Sequence, residues 1–165
     1  MYNSLMILTP VELNKIDVKD FHLDLQFDKS EFKDPYLRDL RDIHADIVLR
    51  RNYDDDFETS LKIKGIMVCP CAITLEDVLL PIDIDEEVLV SKSNDEAFIY
   101  ENSLNLKELV YNSIASIIPM KVVKEGIESY PKGEGWEVLS EEEYSKQKSE
   151  TIDPRWEKLK EYKEV

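Results

Sequence analysis

Two histidines, two cysteines and four glycines are all that this 165-residue chain holds of the residue types that build most reactive sites and phosphate cradles. Each shortage excludes something. Cys69 and Cys71 are separated only by Pro70, too small a loop for an ordinary disulfide, so reduced thiols are expected. A tetrahedral zinc site needs four ligands, and no second Cys or His pair occurs at ribbon-like spacing. There is no glycine-rich phosphate loop, since Gly126, Gly133 and Gly135 all fall in the aperiodic stretch 121–135. No apolar run approaches the roughly 20 residues of a membrane span. The start, Met1-Tyr-Asn-Ser-Leu-Met, lacks the basic segment of a secretory signal. A cytoplasmic protein that engages no membrane is expected. Positive charge is scarce too, with 21 Lys and Arg against 36 Asp and Glu and a net charge of −15. Such a field repels a phosphate backbone at long range and attracts basic partners.

What is present suits a folded chain. Hydrophobic residues make up 42% and charged residues 35%, enough apolar material to offset chain entropy in a single core. Phe21-His-Leu-Asp-Leu-Gln-Phe-Asp28 alternates apolar and polar residues, as do Ile43 to Arg50 and Phe57 to Ile66, with a hairpin-like break at 51–56. Val78 to Val90 reads as a further strand in which Pro81, lacking a donor, belongs at an edge or a bulge. Ala97 to Tyr100 is a short strand or a turn.

Helical signals frame these strands. Thr9-Pro-Val-Glu12, Asn105-Leu-Lys-Glu108 and Ser140-Glu-Glu-Glu143 each read as a capping box. The second opens the principal helix, 106–118, whose apolar residues recur at helical spacing until Pro119. Residues 121–135 read as a loop, and Asp153-Pro-Arg opens a last helix. The expectation is an α+β fold, a mainly antiparallel sheet, open or barrel-like, with one principal helix across its inner face and short terminal helices. Residues 1–120 form the β core with that helix, and residues 121–165 a loop and helical segment docked on the same domain.

Several groups could carry chemistry. His22 and His44 sit at out-facing strand positions, where pairing of their strands would bring the imidazoles near each other. Without further ligands, Cys69 and Cys71 read as small buried side chains. Asp54 to Asp56 and Asp83, Asp85 and Glu86 would suit a general acid and base or a magnesium site, but no nucleophile or His base sits beside them, so they read as solvated faces. Arg50, Arg51, Lys121, Lys124 and Arg155 are candidate phosphate contacts, and Trp136 and Trp156 candidate stacking groups. Against this, aromatic residues near a chain end commonly pin a tail to the core. The last third of the chain, 102–165, carries 10 basic against 13 acidic residues and is the part most tolerant of nucleic acid.

Three features together resemble the YceD-like family, the large ribosomal RNA subunit accumulation proteins. Cys71-Ala-Ile-Thr74-Leu75 followed by Glu76-Asp-Val-Leu-Leu-Pro-Ile-Asp-Ile-Asp85 is similar to the family's Cys-x-x-Cys-Leu and hydrophobic-acidic strand, with Thr74 in the second cysteine position. Ile118-Pro-Met120 follows the helix. Ile152-Asp-Pro-Arg-Trp-Glu-Lys-Leu159 resembles the terminal Asp-Pro-Arg-x-x-x-Leu signature. Many members carry a second cysteine cluster that completes a zinc site, whereas residues 121–150 here hold no cysteine, which resembles the metal-free branch of low-GC Gram-positive bacteria. The resemblance implies that Cys71 and Thr74 mark ancestral zinc positions, that no cofactor is used, and that packing by Trp136, Val138 and Leu139 replaces the metal.

It further implies a role without known catalysis in 23S rRNA accumulation, processing or large-subunit assembly. The implied partner is the large-subunit precursor particle, through 23S rRNA or a basic ribosomal protein. Two other readings remain at this point: a metal-dependent RNA-processing enzyme using the acidic clusters, and a generic acidic adaptor for basic proteins. The sequence leaves the oligomeric state open.

Overall fold

Alternation of apolar and polar residues becomes one open sheet. The computed structural model describes residues 6–92, 97–126 and 130–150. Its principal sheet joins β2 (Val18–Leu25), β3 (Asp39–Arg51), β4 (Phe57–Pro70), β5 (Asp77–Ser91) and β6 (Phe98–Ile99) in that order. The first four form an antiparallel meander, and β6 runs parallel to β5. Short β1 (Ile7–Leu8) pairs with β7 (Leu104–Asn105), and α1 (Pro10–Leu13) lies between β1 and β2. The fold is α+β and mostly antiparallel; among the described residues the sheet does not close into a barrel.

The inner face holds the core. Phe21 and Leu25, then Ile43, Ala45, Ile47 and Leu49, then Phe57, Leu61 and Ile63, then Ile82, Ile84 and Val90 are all buried. Register stacks them in rows, with Phe21 opposite Ile47, Ile47 opposite Leu61, and Ile63 opposite both Ala45 and Ile84. Leu40 and Ile43 both reach the core although an odd number of positions separates them, because the ladder shifts register between Arg41 and His44. A bulge there restores the inward phase. Asp42 takes up the turn at φ 51°, and Gly65 faces it: a Cβ on Gly65 would lie 2.4 Å from Ile43 Cδ1.

The helix α2 (Leu106–Ser116) covers this face with Leu106, Leu109, Val110, Tyr111 and Ile114, all in one apolar cluster with the sheet. Asn105 caps it, its side-chain oxygen accepting from the Lys107 and Glu108 N–H groups at 3.1 and 3.4 Å. The helix is shorter than its sequence pattern, which runs to Ile118. Ile117 turns outward at 43% exposure. Pro119 is the reason, since the residue before a proline is pushed away from helical geometry.

The strands at 43–50, 57–66 and 78–90 form as the alternation predicts and run longer. The strand expected at 21–28 is shifted to Val18–Leu25, paired residue for residue with Arg50 to Ile43. Tertiary pairing sets that boundary, and Phe27 packs against the Tyr111 ring instead, 5.9 Å away.

The outer face is polar and paired across strands. His22 Nδ1 donates to Asp46 Oδ1 at 2.6 Å, His44 Nδ1 meets Asp24 Oδ1, and Lys62 lies 3.3 Å from Asp85. The hydrogen bond and charge of Asp46 raise the His22 pKa above its ordinary 6.5.

Contacts divide the chain into two compact units, Met1–Val123 and Lys124–Val165. In the second, β8 (Lys132–Gly133) and β9 (Trp136–Glu137) form a tight hairpin, and α3 (Glu141–Glu150) follows a complete capping box: Glu143 N–H donates to Ser140 Oγ at 3.1 Å and Ser140 N–H to Glu143 Oε2 at 3.0 Å. The stretch 121–135, expected as loop, therefore includes a strand and a turn. Two residues per strand are too few for a periodic signal. The helix expected from Asp153 lies outside the described residues.

Two measurements check this architecture. Ile114→Ala should lower stability by about 2–5 kcal/mol by opening a cavity in the core, whereas Ile117→Ala should stay within about 0.5 kcal/mol; urea midpoints compare them. A raised folded-state pKa means that the His22–Asp46 pair stabilises below the unfolded value and loses that contribution as pH rises through the folded value. The urea midpoint of His22→Gln should thus fall below the wild type near pH ~5.5 and meet it by about pH 8.5; a gap that is constant or widens with pH would contradict the pairing.

Candidate functional site

The ladder of β4 and β5 ends in the cysteine turn. Cys69 is the next-to-last residue of β4 and Cys71 follows Pro70, both without a disulfide and both buried, at 1% and 0% exposure. Cys71 Sγ accepts from the N–H groups of Ile73 and Thr74, each at 3.5 Å. The backbone of Cys71 closes the same turn, its N–H donating to Glu76 O at 2.8 Å and its carbonyl accepting from Leu75 N–H at 3.0 Å. Leu75 takes a φ of 59°. Arg38 reaches in from the segment before β3, donating to Leu75 O at 2.9 Å and pairing with the Asp77 carboxylate. After α2 the chain returns so that Val122 O accepts from Ala72 N–H at 2.7 Å.

This arrangement disfavours thiol chemistry. Burial pushes the Cys69 thiol up, with the Asp34 charge adding to the effect, so its thiolate is scarce. The Thr74 hydroxyl accepts from Glu76 N–H at 3.4 Å. Among the described residues, no three His, Cys, Asp or Glu side chains are grouped to hold a metal ion.

Beside the turn lies a shallow apolar groove of about 120 Å³, lined by Tyr36, Pro70, Leu75, Pro119, Met120 and Val122 among others. Leu75 is 67% and Met120 87% exposed, so the groove has apolar rims as well as an apolar floor. The sequence signal for it was faint: Ile118-Pro-Met120 and the cysteine turn are adjacent only because Val122 bridges to Cys71.

The candidate contacts fall in different places. Arg50 is exposed on β3 opposite Glu58. Arg51 is committed within the chain: it donates to the carbonyls of Leu13 and Ile16, pairs with Asp55 at 3.1 Å and lies 4.9 Å from the centre of the Phe57 ring. Lys121 lies exposed at the groove, and Lys124 is exposed at the start of the second unit. Arg155 and Trp156 lie outside the described residues. His22 and His44 are diagonal neighbours, each held by an aspartate across the ladder. Asp83 and Asp85 share the outer face of β5, whereas Glu86, opposite Leu61, points to the other side.

Trp136 is a different kind of site. It opens β9 opposite Gly133, and its indole lies over that glycine so closely that a Cβ there would stand 2.4 Å from Nε1. Only glycine permits the contact. The ring is nonetheless 57% exposed, with Lys132 next in the hairpin. Val138, at 37% exposure, anchors the hairpin by donating its N–H to Pro131 O at 3.1 Å.

Residues 59–163, from within β4 to near the end of the chain, match the family model described as large ribosomal RNA subunit accumulation protein YceD. Neither a curated protein nor a solved structure matches the chain.

The turn makes a direct prediction. Cys71→Ala strips the acceptor from two N–H groups beside a buried atom and should cost about 1–3 kcal/mol. Native protein should also react with a thiol reagent only as fast as it unfolds; prompt labelling of both cysteines would contradict their burial.

Proposed function

The chain belongs to the YceD family of large ribosomal RNA subunit accumulation proteins, and on that premise we propose that it is a non-enzymatic ribosome-biogenesis factor. It supports accumulation or processing of 23S rRNA, or large-subunit assembly, by binding the large-subunit precursor particle. The observation that carries this reading is Trp136, an aromatic ring braced on Gly133 and left 57% exposed. A rigid exposed ring loses little freedom on binding and offers its face to an unpaired base, a contact worth about 1–3 kcal/mol. A net charge of −15 argues against a broad phosphate-neutralising surface, so direct RNA affinity is modest.

Non-catalytic action is supported by how the reactive groups are engaged. The Cys69 thiol is buried, Cys71 Sγ accepts from the backbone, the imidazoles face carboxylates on an open sheet face, and the guanidinium of Arg51 is taken up by carbonyls. General acid and base groups need a reacting atom held between them, and an exposed sheet face supplies no such enclosure.

Depletion from the cell should lower 23S rRNA, and the protein should co-sediment with large-subunit precursors. Trp136→Ala should weaken that co-sedimentation about ten-fold, the scale of one stacked base. Normal 23S rRNA after depletion would overturn the proposal. Cleavage of precursor rRNA by purified protein would favour an enzyme, and equal enrichment of unrelated basic proteins a generic adaptor.

A further inference from the structure

The strand β5 is paired on one side only for most of its length. It is 15 residues long and matches β4 from Asp77 to Val90, while β6 meets it only at Val90 and Ser91. From Ile82 to Leu89 the described residues place no strand against its other edge. Backbone N–H and C=O groups on that edge form a template for one more strand.

The side chains along the edge specify what could be added. Asp83, Asp85 and Glu87 point to the exposed outer face, while Ile82, Ile84 and Val88 alternate with them on the inner side, where Glu86 is half-buried. The whole strand holds Asp77, Asp83, Asp85, Glu86 and Glu87 and not one Lys or Arg. Of the outward acids, Asp85 meets Lys62 on β4. A residue directly opposite in an added strand would come within about 4.5–5.5 Å, close enough for a charge pair.

Acids and a proline on an open edge commonly guard against self-association. That function and a selective one are compatible. The charge that repels a second copy of β5 attracts a basic strand, and Pro81 limits regular pairing to the stretch that follows it. We propose that the Ile82–Leu89 edge of β5 receives an extended, Lys- or Arg-rich protein segment as an added strand. Its basic residues face Asp83, Asp85 and Glu87, and its apolar residues alternate on the side of Ile82, Ile84 and Val88. Backbone hydrogen bonds supply the affinity, and the charge ladder selects the partner. The inference stands apart from the Trp136 reading, since it concerns another strand and needs no RNA.

The test uses the purified full chain and a short synthetic peptide alternating lysine and valine. Amide exchange followed by NMR should show added protection at alternate residues between Ile82 and Leu89. The same peptide N-methylated along one edge keeps its charge but cannot pair, and should bind at least about ten-fold more weakly, equivalent to 1.4 kcal/mol. Asp83→Lys with Glu87→Lys should weaken binding comparably, whereas Asp20→Lys with Asp24→Lys, the same charge change on β2, should not. Equal binding of the methylated peptide would overturn the proposal by showing charge attraction alone. Protection confined to Val18–Leu25, or arising in the protein alone as its concentration rises, would overturn it in favour of another edge or a second copy.

Discussion

Burial of β4 between β3 and β5 is the constraint on which the rest of the structure depends. Phe57, Leu61 and Ile63 lie at 0–1% exposure, with Phe57 meeting buried Val90, Leu61 meeting buried Ile47, and Ile63 meeting buried Ala45 and Ile84 on its two sides. A slip of one residue would turn that whole set toward solvent, so the register is strongly specified. The bulge at Asp42 and the glycine opposite it follow from the same demand, since both Leu40 and Ile43 must enter the core. The helix α2 then has one apolar surface on which to lay its stripe.

The cysteine turn is what this ladder becomes where it ends. A tight reversal leaves backbone N–H groups pointing inward without strand partners. The Cys71 sulfur accepts two of them, and Arg38 holds the carbonyl of Leu75 on the far side. One thiol and one guanidinium thus order the turn. Sulfur here is a buried acceptor, a role that needs neither a thiolate nor a metal.

Charge is distributed by strand position. Opposite charges meet across the ladders, as His22 on β2 does with Asp46 on β3 and Lys62 on β4 with Asp85 on β5. The excess of negative charge is carried partly by a strand with an open side, β5. Net charge alone says that basic partners are attracted; the topology says which backbone they would meet.

Much of the fold was legible in the sequence. Period-two alternation determined which residues of β3, β4 and β5 face inward, because a strand has only two faces. The Thr9, Asn105 and Ser140 caps marked helix starts, since unsatisfied N–H groups need a local acceptor. The motifs around Cys71, Ile118 and the chain end pointed to the family that the match over 59–163 shows. Other features were decided only by tertiary structure, because they depend on residues far apart in sequence. Pairing with β3 moved β2 three residues earlier than its alternation suggested. Arg50 and Arg51 look alike in the chain, yet only Arg51 meets the carbonyls of Leu13 and Ile16. The Trp136 hairpin is too short for any periodic signal, and its ring is held by contact with Gly133. Composition and alternation therefore determined which side of each strand is buried, while strand order and register decided which side chains are taken up within the fold and which edges are left open.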